Sequence, residues 1–215
     1  MITNKQEFDL NCTKCSRLVG FLQQVKIDYP SYHARPVPPF GVAKPRVLIV
    51  GLAPGLHGAN ATGRPFTGDY AGILLYETLY KFGFSSKATS DSATDSLKLK
   101  QCRITNAVKC LPPDNKPVGD EVNRCNDYLR HELNNLPTAA GVICLGGVAH
   151  KAVLKALGAR QKDYIFAHAA LHKPDGVAWM LDSYHCSRYN TSTKRLTTQM
   201  FESVFKTARR LVDHG

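Results

Sequence analysis

The chain has 215 residues, 43% of them hydrophobic, which suits a single globular domain with one sizeable core. Its opening residues, MITNKQEFDL, have neither the basic start nor the apolar run of a signal peptide, and no apolar stretch reaches membrane-spanning length, so a cytoplasmic protein is expected. Twenty-eight Lys and Arg against 17 Asp and Glu give a formal charge of +11, which favours a polyanionic partner such as nucleic acid, although a basic balance also serves solubility and needs a motif beside it.

Cys12 and Cys15 stand just before a short helical pattern in which Leu18, Phe21, Leu22 and Val25 share a face, with Ser16 as candidate cap. Pro30, Pro36, Pro38, Pro39 and Pro45 then punctuate a surface crossing without regular structure. Residues 46–50, Arg-Val-Leu-Ile-Val, form a continuous apolar run into a glycine-bearing loop, the pattern of a buried parallel strand. Helical periodicity follows over 71–83, and the Ser/Thr-rich segment 84–100 is expected to be a flexible surface loop. Further apolar runs at 102–108, 141–146 and 177–182 alternate with helical patterns at 119–135, 148–157 and 195–212. In the last of these Leu196, Met200, Val204, Ala208 and Leu211 fall three or four residues apart. The alternation predicts one α/β domain over residues 1–215, with a central, mostly parallel, four-stranded sheet flanked by helices.

Seven cysteines, an odd number without a secretion signal, argue for metal ligation over a disulfide framework. Cys12 and Cys15 are separated by two residues and Cys110 and Cys125 by fourteen, so two pairs can converge on one four-thiolate site. Zinc and a cubane 4Fe-4S cluster both accept such a set, and Cys125 also fits a plain core position in its helix. Cys102, Cys144 and Cys186 have no partner pattern and read as core or loop thiols.

The loop after the first long strand, GLAPGLHGANATGRPFTGD, carries glycines at 51, 55, 58, 63 and 68. Glycines let backbone N–H groups approach a ligand, and in α/β sheets ligands bind beyond the carboxyl ends of strands. The segment is neither a Walker loop nor a GxGxxG fingerprint.

Three segments together carry a family resemblance: residues 51–69; RITNAVKCLPP, 103–113; and SYHCSRYNTSTKRLT, 183–197. They resemble the three motifs of the type-5 uracil-DNA glycosylases, and Cys12, Cys15, Cys110 and Cys125 occupy the positions of that family's iron–sulfur ligands. The resemblance implies a monofunctional glycosylase that hydrolyses the N-glycosidic bond of uracil, or of another deaminated base, in DNA. It implies that Asp69 faces the sugar and that His185 hydrogen-bonds the departing base; Asp69 also reads as a helix cap, and can do both. Asn106 would read the base edge and Phe66 would stack on it, while Gly51, Ala53, Pro54 and Gly55 would wall the base pocket. Arg188, Tyr189 and Asn190 would enter the DNA, Ser187 would lie against it, and Lys194 and Arg195 would meet phosphates.

Two departures from the family pattern stand out. Leu52 occupies the place where type-4 enzymes have an acidic residue, which puts weight on Asp69 and implies a less demanding pocket. Cys186 occupies a common proline position. No lysine lies where a Schiff-base nucleophile is expected, so no lyase step is predicted. The implied protein is a nucleoid-associated monomer, without membrane contact, whose four-cysteine cluster ties the N-terminal segment to the core. The competing readings are a glycosylase mainly for hypoxanthine, xanthine or mismatched thymine, and a non-catalytic, metal-stapled DNA-binding protein.

Overall fold

The computed structural model describes residues 8–214. Its centre is four parallel strands, β2 (Val47–Gly51), β3 (Cys102–Asn106), β4 (Gly141–Leu145) and β6 (Met180–Ser183), in the order β3-β2-β4-β6. β2 and β4 are buried at every residue, which is why they read as unbroken apolar runs rather than as alternation. Ile49 points into a core shared with α3 (Tyr70–Lys81) and α7 (Thr198–His214), where Leu75, Leu79, Phe201 and Phe205 lie. Leu48 and Val50 point to the opposite face, against Leu129 and Leu133 of α4 (Gly119–Asn134) and Val153 of α5 (Gly147–Leu157).

Two short antiparallel strands extend the four-stranded prediction at its edges. β1 (Phe40–Gly41) pairs with β3, and β5 (Leu171–His172) pairs with β6. β1 arises inside the proline-rich stretch read as irregular, because Gly41, at φ 132°, approaches the Cys102 carbonyl more closely than any side chain would allow. β5 is fastened by Asp182 of β6, whose two carboxylate oxygens lie 2.9 Å from His150 Nδ1 and 3.1 Å from His172 Nε2.

The N-terminal helix α1 (Ser16–Asp28) packs Leu22 and Val25 against Ala34 and Leu111. Its cap position is Cys15, with no side-chain cap bond, so Ser16 is the first helical residue and not the cap. Arg17 ties α1 to α4 through a two-pronged contact with Glu121, at 2.7 and 2.8 Å. Segment 84–100 is also not the free loop its composition suggests. Asp95 collects the N–H groups of Asp91, Ser92 and Leu97, while Leu97 and Leu99 are buried in the core.

The strand register sets the site. Gly51 pairs with Asn106 and Leu145 with Ser183, so all four strands end level and their following loops open on one side.

Candidate active site at the carboxyl ends of the parallel strands

A cavity of about 520 Å³ lies over these strand ends, walled by the loops after β2, β3, β4 and β6. Ala53, Gly55, Phe66, Asp69, Asn106, His185, Ser187, Arg188, Asn190 and Arg195, all singled out from sequence, line it. Gly51 lies beneath it: a Cβ there would overlap Asn106 Oδ1 and the Phe66 ring, so the pocket floor depends on this glycine. Pro54 is buried outside the lining, whereas Tyr189 and Lys194 project from the rim into solvent.

Phe66 has φ 54°, a left-handed conformation uncommon for an aromatic residue, and its ring is 6% exposed. The Phe66 and His185 ring centroids are 5.9 Å apart with planes 26° from parallel. Two stacking separations would need roughly 7–8 Å, so no planar ligand fits between these rings. A planar ligand would lie to one side of the pair.

Asp69 caps α3, accepting the Gly72 N–H at 2.9 Å through Oδ1. Its other oxygen faces Gly55 and Gly58, and a Cβ on Gly58 would overlap it. Burial pushes the Asp69 carboxyl up from its ordinary value, against the pull of the Gly72 and Ala71 N–H groups. At the wall, burial pushes the His185 imidazole down to about 4, which leaves it neutral at pH 7. Asn106 is 4% exposed, and its Oδ1 is buried without a hydrogen-bond partner in the protein. Burying an amide oxygen without a partner costs stability, and this one belongs to a residue that lines the cavity beside Gly51 and Phe66, where a ligand's donor would pair it.

On the rim, Ser187 caps the short helix α6 (Arg188–Ser192) by accepting the Asn190 N–H. The Asn190 side chain donates to the His185 carbonyl at 2.8 Å, bracing the loop that carries the imidazole. Arg195 lies over the Tyr184 ring at 4.8 Å and Arg188 over Tyr70 at 5.9 Å, so both cations are held at the cavity mouth by aromatic faces.

Sequence reasoning missed Tyr70, Asn115, Phe166, Tyr184 and the Leu145–Val148 corner, all of which line the cavity. Asn115 lies two residues beyond the strand-end motif, and Tyr184 sits inside the third motif. Phe166 arrives from an irregular stretch with no local signal.

Cys12, Cys15, Cys110 and Cys125 line one small cavity between α1, α4 and the loop after β3. Burial, followed by the neighbouring Cys125, Cys12 and Cys15, pushes the Cys110 thiol up, so four bare thiolates would repel one another there. The Lys109 N–H donates to Cys125 Sγ at 3.3 Å. Four sulfur donors lining one cavity, with Tyr128 beside them, are the donor set that a soft, thiolate-bound centre takes. Cys102, Cys144 and Cys186 are fully buried elsewhere. His150, His172 and Asp182 also have metal-like spacing, but their short contacts are already spent on one another and on the Tyr164 carbonyl.

Comparison with known proteins shows the family. Residues 38–209 match the model of the uracil DNA glycosylase superfamily. The chain is 43% identical over 205 residues to the type-5 uracil-DNA glycosylase of Thermus thermophilus, covering 93% of each chain. It is 42% identical over 203 residues to the type-5 uracil-DNA glycosylase of Pyrobaculum aerophilum, covering 93% of this chain and 88% of that one. A type-4 uracil-DNA glycosylase of Archaeoglobus fulgidus is 33% identical over 141 residues, 65% of this chain and 57% of that one.

Proposed function

Since the chain belongs to the uracil DNA glycosylase superfamily, among its type-5 members, we propose that it hydrolyses the N-glycosidic bond of uracil in DNA and leaves an abasic site for repair. The observation that carries the reading is the unpaired Asn106 amide beside Gly51 and Phe66, in a cavity that also holds Asp69 and His185.

In this reading the target nucleotide leaves the duplex and its base rests on Phe66. Asn106 then hydrogen-bonds the base edge through an amide that both donates and accepts. Bond cleavage leaves positive charge on the sugar and negative charge on the base. The Asp69 carboxylate stabilises the first and orients the attacking water, while the neutral His185 imidazole donates to the departing base. Lys109 forms no Schiff base, because it is 1% exposed and ion-paired with Glu132 at 2.5 Å, away from the cavity.

The rim cations Arg188 and Arg195, with Lys194 beside them, meet the DNA backbone, in keeping with the charge of +11. Tyr189, 72% exposed, is free to enter the duplex. The protein acts as a monomer at the chromosome, since both sheet edges are two-residue strands that offer little to a second copy. Among the described residues no helix is long and apolar enough to cross a membrane. We further assign Cys12, Cys15, Cys110 and Cys125 to a 4Fe-4S cluster. When bound, it supplies a covalent cross-link between the α1 segment and the sheet, and it takes no part in the hydrolysis.

The test is excision from a duplex carrying one uracil, opposite guanine or adenine. Asp69→Asn and His185→Ala are each expected to lower the single-turnover rate by about 10²–10³-fold. Release at the wild-type rate by either variant would remove that residue from the chemistry. A second reading rests on Leu52 and the cavity size: with no acidic side chain at 52 and about 520 Å³ of space, hypoxanthine and xanthine also fit. Duplexes carrying these bases extend the same assay.

A further inference from the structure

Arg64 is 3% exposed, yet it belongs to the turn that delivers Phe66 to the pocket. Its guanidinium is fully occupied. Nη1 and Nη2 grip the two oxygens of Asp95 at 2.8 and 2.6 Å, Nη2 also reaches Ser90 Oγ at 2.6 Å, and Nε donates to Thr67 Oγ1 at 2.9 Å. Its flat face lies 4.8 Å from the centre of the Phe40 ring. The same Asp95 carboxylate organises segment 84–100 by accepting three backbone N–H groups, and the Arg64 contact holds its carboxyl well below the usual carboxylate range. The turn on the other side of Arg64 is equally fixed. Thr67 Oγ1 shares a hydrogen bond with Ser90 Oγ at 2.7 Å, Tyr76 donates to the Pro65 carbonyl at 2.9 Å, and Gly72 leaves room for the Phe66 carbonyl where any Cβ would overlap it.

These contacts converge on Phe66, whose left-handed backbone would otherwise relax. We propose that the Arg64–Asp95 fork is a positioning device for base recognition: segment 84–100 serves as a buttress that sets the Phe66 ring at the height the flipped base requires. The inference rests on the reading of Phe66 as the base platform. It assigns to a polar segment with no residue in the cavity a role in how tightly the base, as distinct from the DNA, is held.

The test separates base from backbone. Two duplexes are titrated with the full-length protein: one carries 2′-fluoro-2′-deoxyuridine, which resists hydrolysis, and the other a tetrahydrofuran abasic analogue. The ratio of the two dissociation constants reports the contribution of the base. Asp95→Asn and Arg64→Lys, which keep size or charge but break the fork, are expected to reduce that ratio by about tenfold. Abasic affinity should stay within about twofold of wild type, because it depends on phosphate contacts, and the pH profile of uracil release should keep its shape. Asp95→Glu, which restores the fork chemistry, should recover part of the loss.

A folded Asp95→Asn protein with a wild-type ratio overturns the proposal, as does an equal fall in affinity for both duplexes, which would mark a general structural role. If Asp95→Asn does not fold, Arg64→Lys and Ser90→Ala carry the test, and a wild-type ratio in both overturns it. Phe66→Ala is the control on the underlying reading. If it leaves the ratio unchanged, Phe66 is not the platform; if it lowers the ratio while the fork variants do not, the platform stands and the fork has no part in it.

Discussion

Asp69 and His185 are both half-buried at the pocket wall, and burial moves them in opposite senses, the carboxyl up and the imidazole down to about 4. A raised carboxyl means the folded protein holds that proton more tightly than the unfolded chain. The stability it lends is present at acid pH and is lost as pH rises through the folded value. Asp69→Asn keeps an oxygen for the Gly72 N–H and removes the charge, so it is expected to melt higher than wild type near neutral pH, by roughly 2–4 °C for each kcal/mol relieved. The gap should close as pH falls and Asp69 takes up its proton. Melting curves across that range check it, and a variant that melts lower throughout would show the charge to be a net gain as a cap. The depressed His185 works the other way: its contribution is intact above the ordinary histidine value of about 6.5 and is lost as pH falls from there to about 4. Asp69, His185, Asn106 and Phe66 were legible because each sits in a short motif beside a strand end. Phe166 was not, because only the folded chain brings residue 166 to strands that end at 51 and 106.

Among the elements, α3 shows how a local rule is overruled. Ala is ordinarily favoured over Gly in a helix by about 1 kcal/mol. Gly72, however, lies against the Phe66 carbonyl, and a Cβ there has nowhere to go. Gly72→Ala is therefore expected to destabilise the protein by about 1–3 kcal/mol and to weaken uracil release, whereas Gly20→Ala in α1, with open space around it, should neither destabilise the protein nor disturb the pocket. Denaturant unfolding of the two variants decides this, and equal stability would remove the close approach as a constraint. The four long strands were readable because burial on both faces forces apolar runs. β1 and β5, two residues each, were not, since their identity lies wholly in partners far along the chain. Segment 84–100 misled for a related reason: its polar composition conceals Asp95, whose partners are its own backbone and an arginine 31 positions away.

Over the whole molecule, the four thiols join α1 to the loop after β3 and to α4, and the Arg17–Glu121 pair repeats that connection. Cys12→Ser with Cys15→Ser is expected to lose iron and inorganic sulfide, to melt lower, and to expose residues 16–28 to protease while the sheet remains folded. Elemental analysis and limited proteolysis report on the two halves separately, and full stoichiometric zinc in the wild-type protein would replace the iron assignment. The single α/β domain was clear from chain length and from the alternation of strand and helix patterns, and the cysteine spacing showed only that two pairs could converge. Their meeting in one cavity depends on α1 folding back over the sheet, which no local pattern announces.

The order of the pocket walls along the chain bears on how the protein is made. Phe66 and Asp69 come from the first third, Asn106 from the middle and His185 from the last sixth, and all four line the same cavity. Synthesis proceeds from the N-terminus, so a nascent chain holds Phe66 and Asp69 long before it holds His185. A copy whose translation stops early has one wall of the cavity missing, and an interrupted ribosome releases no enzyme able to strip bases from the chromosome.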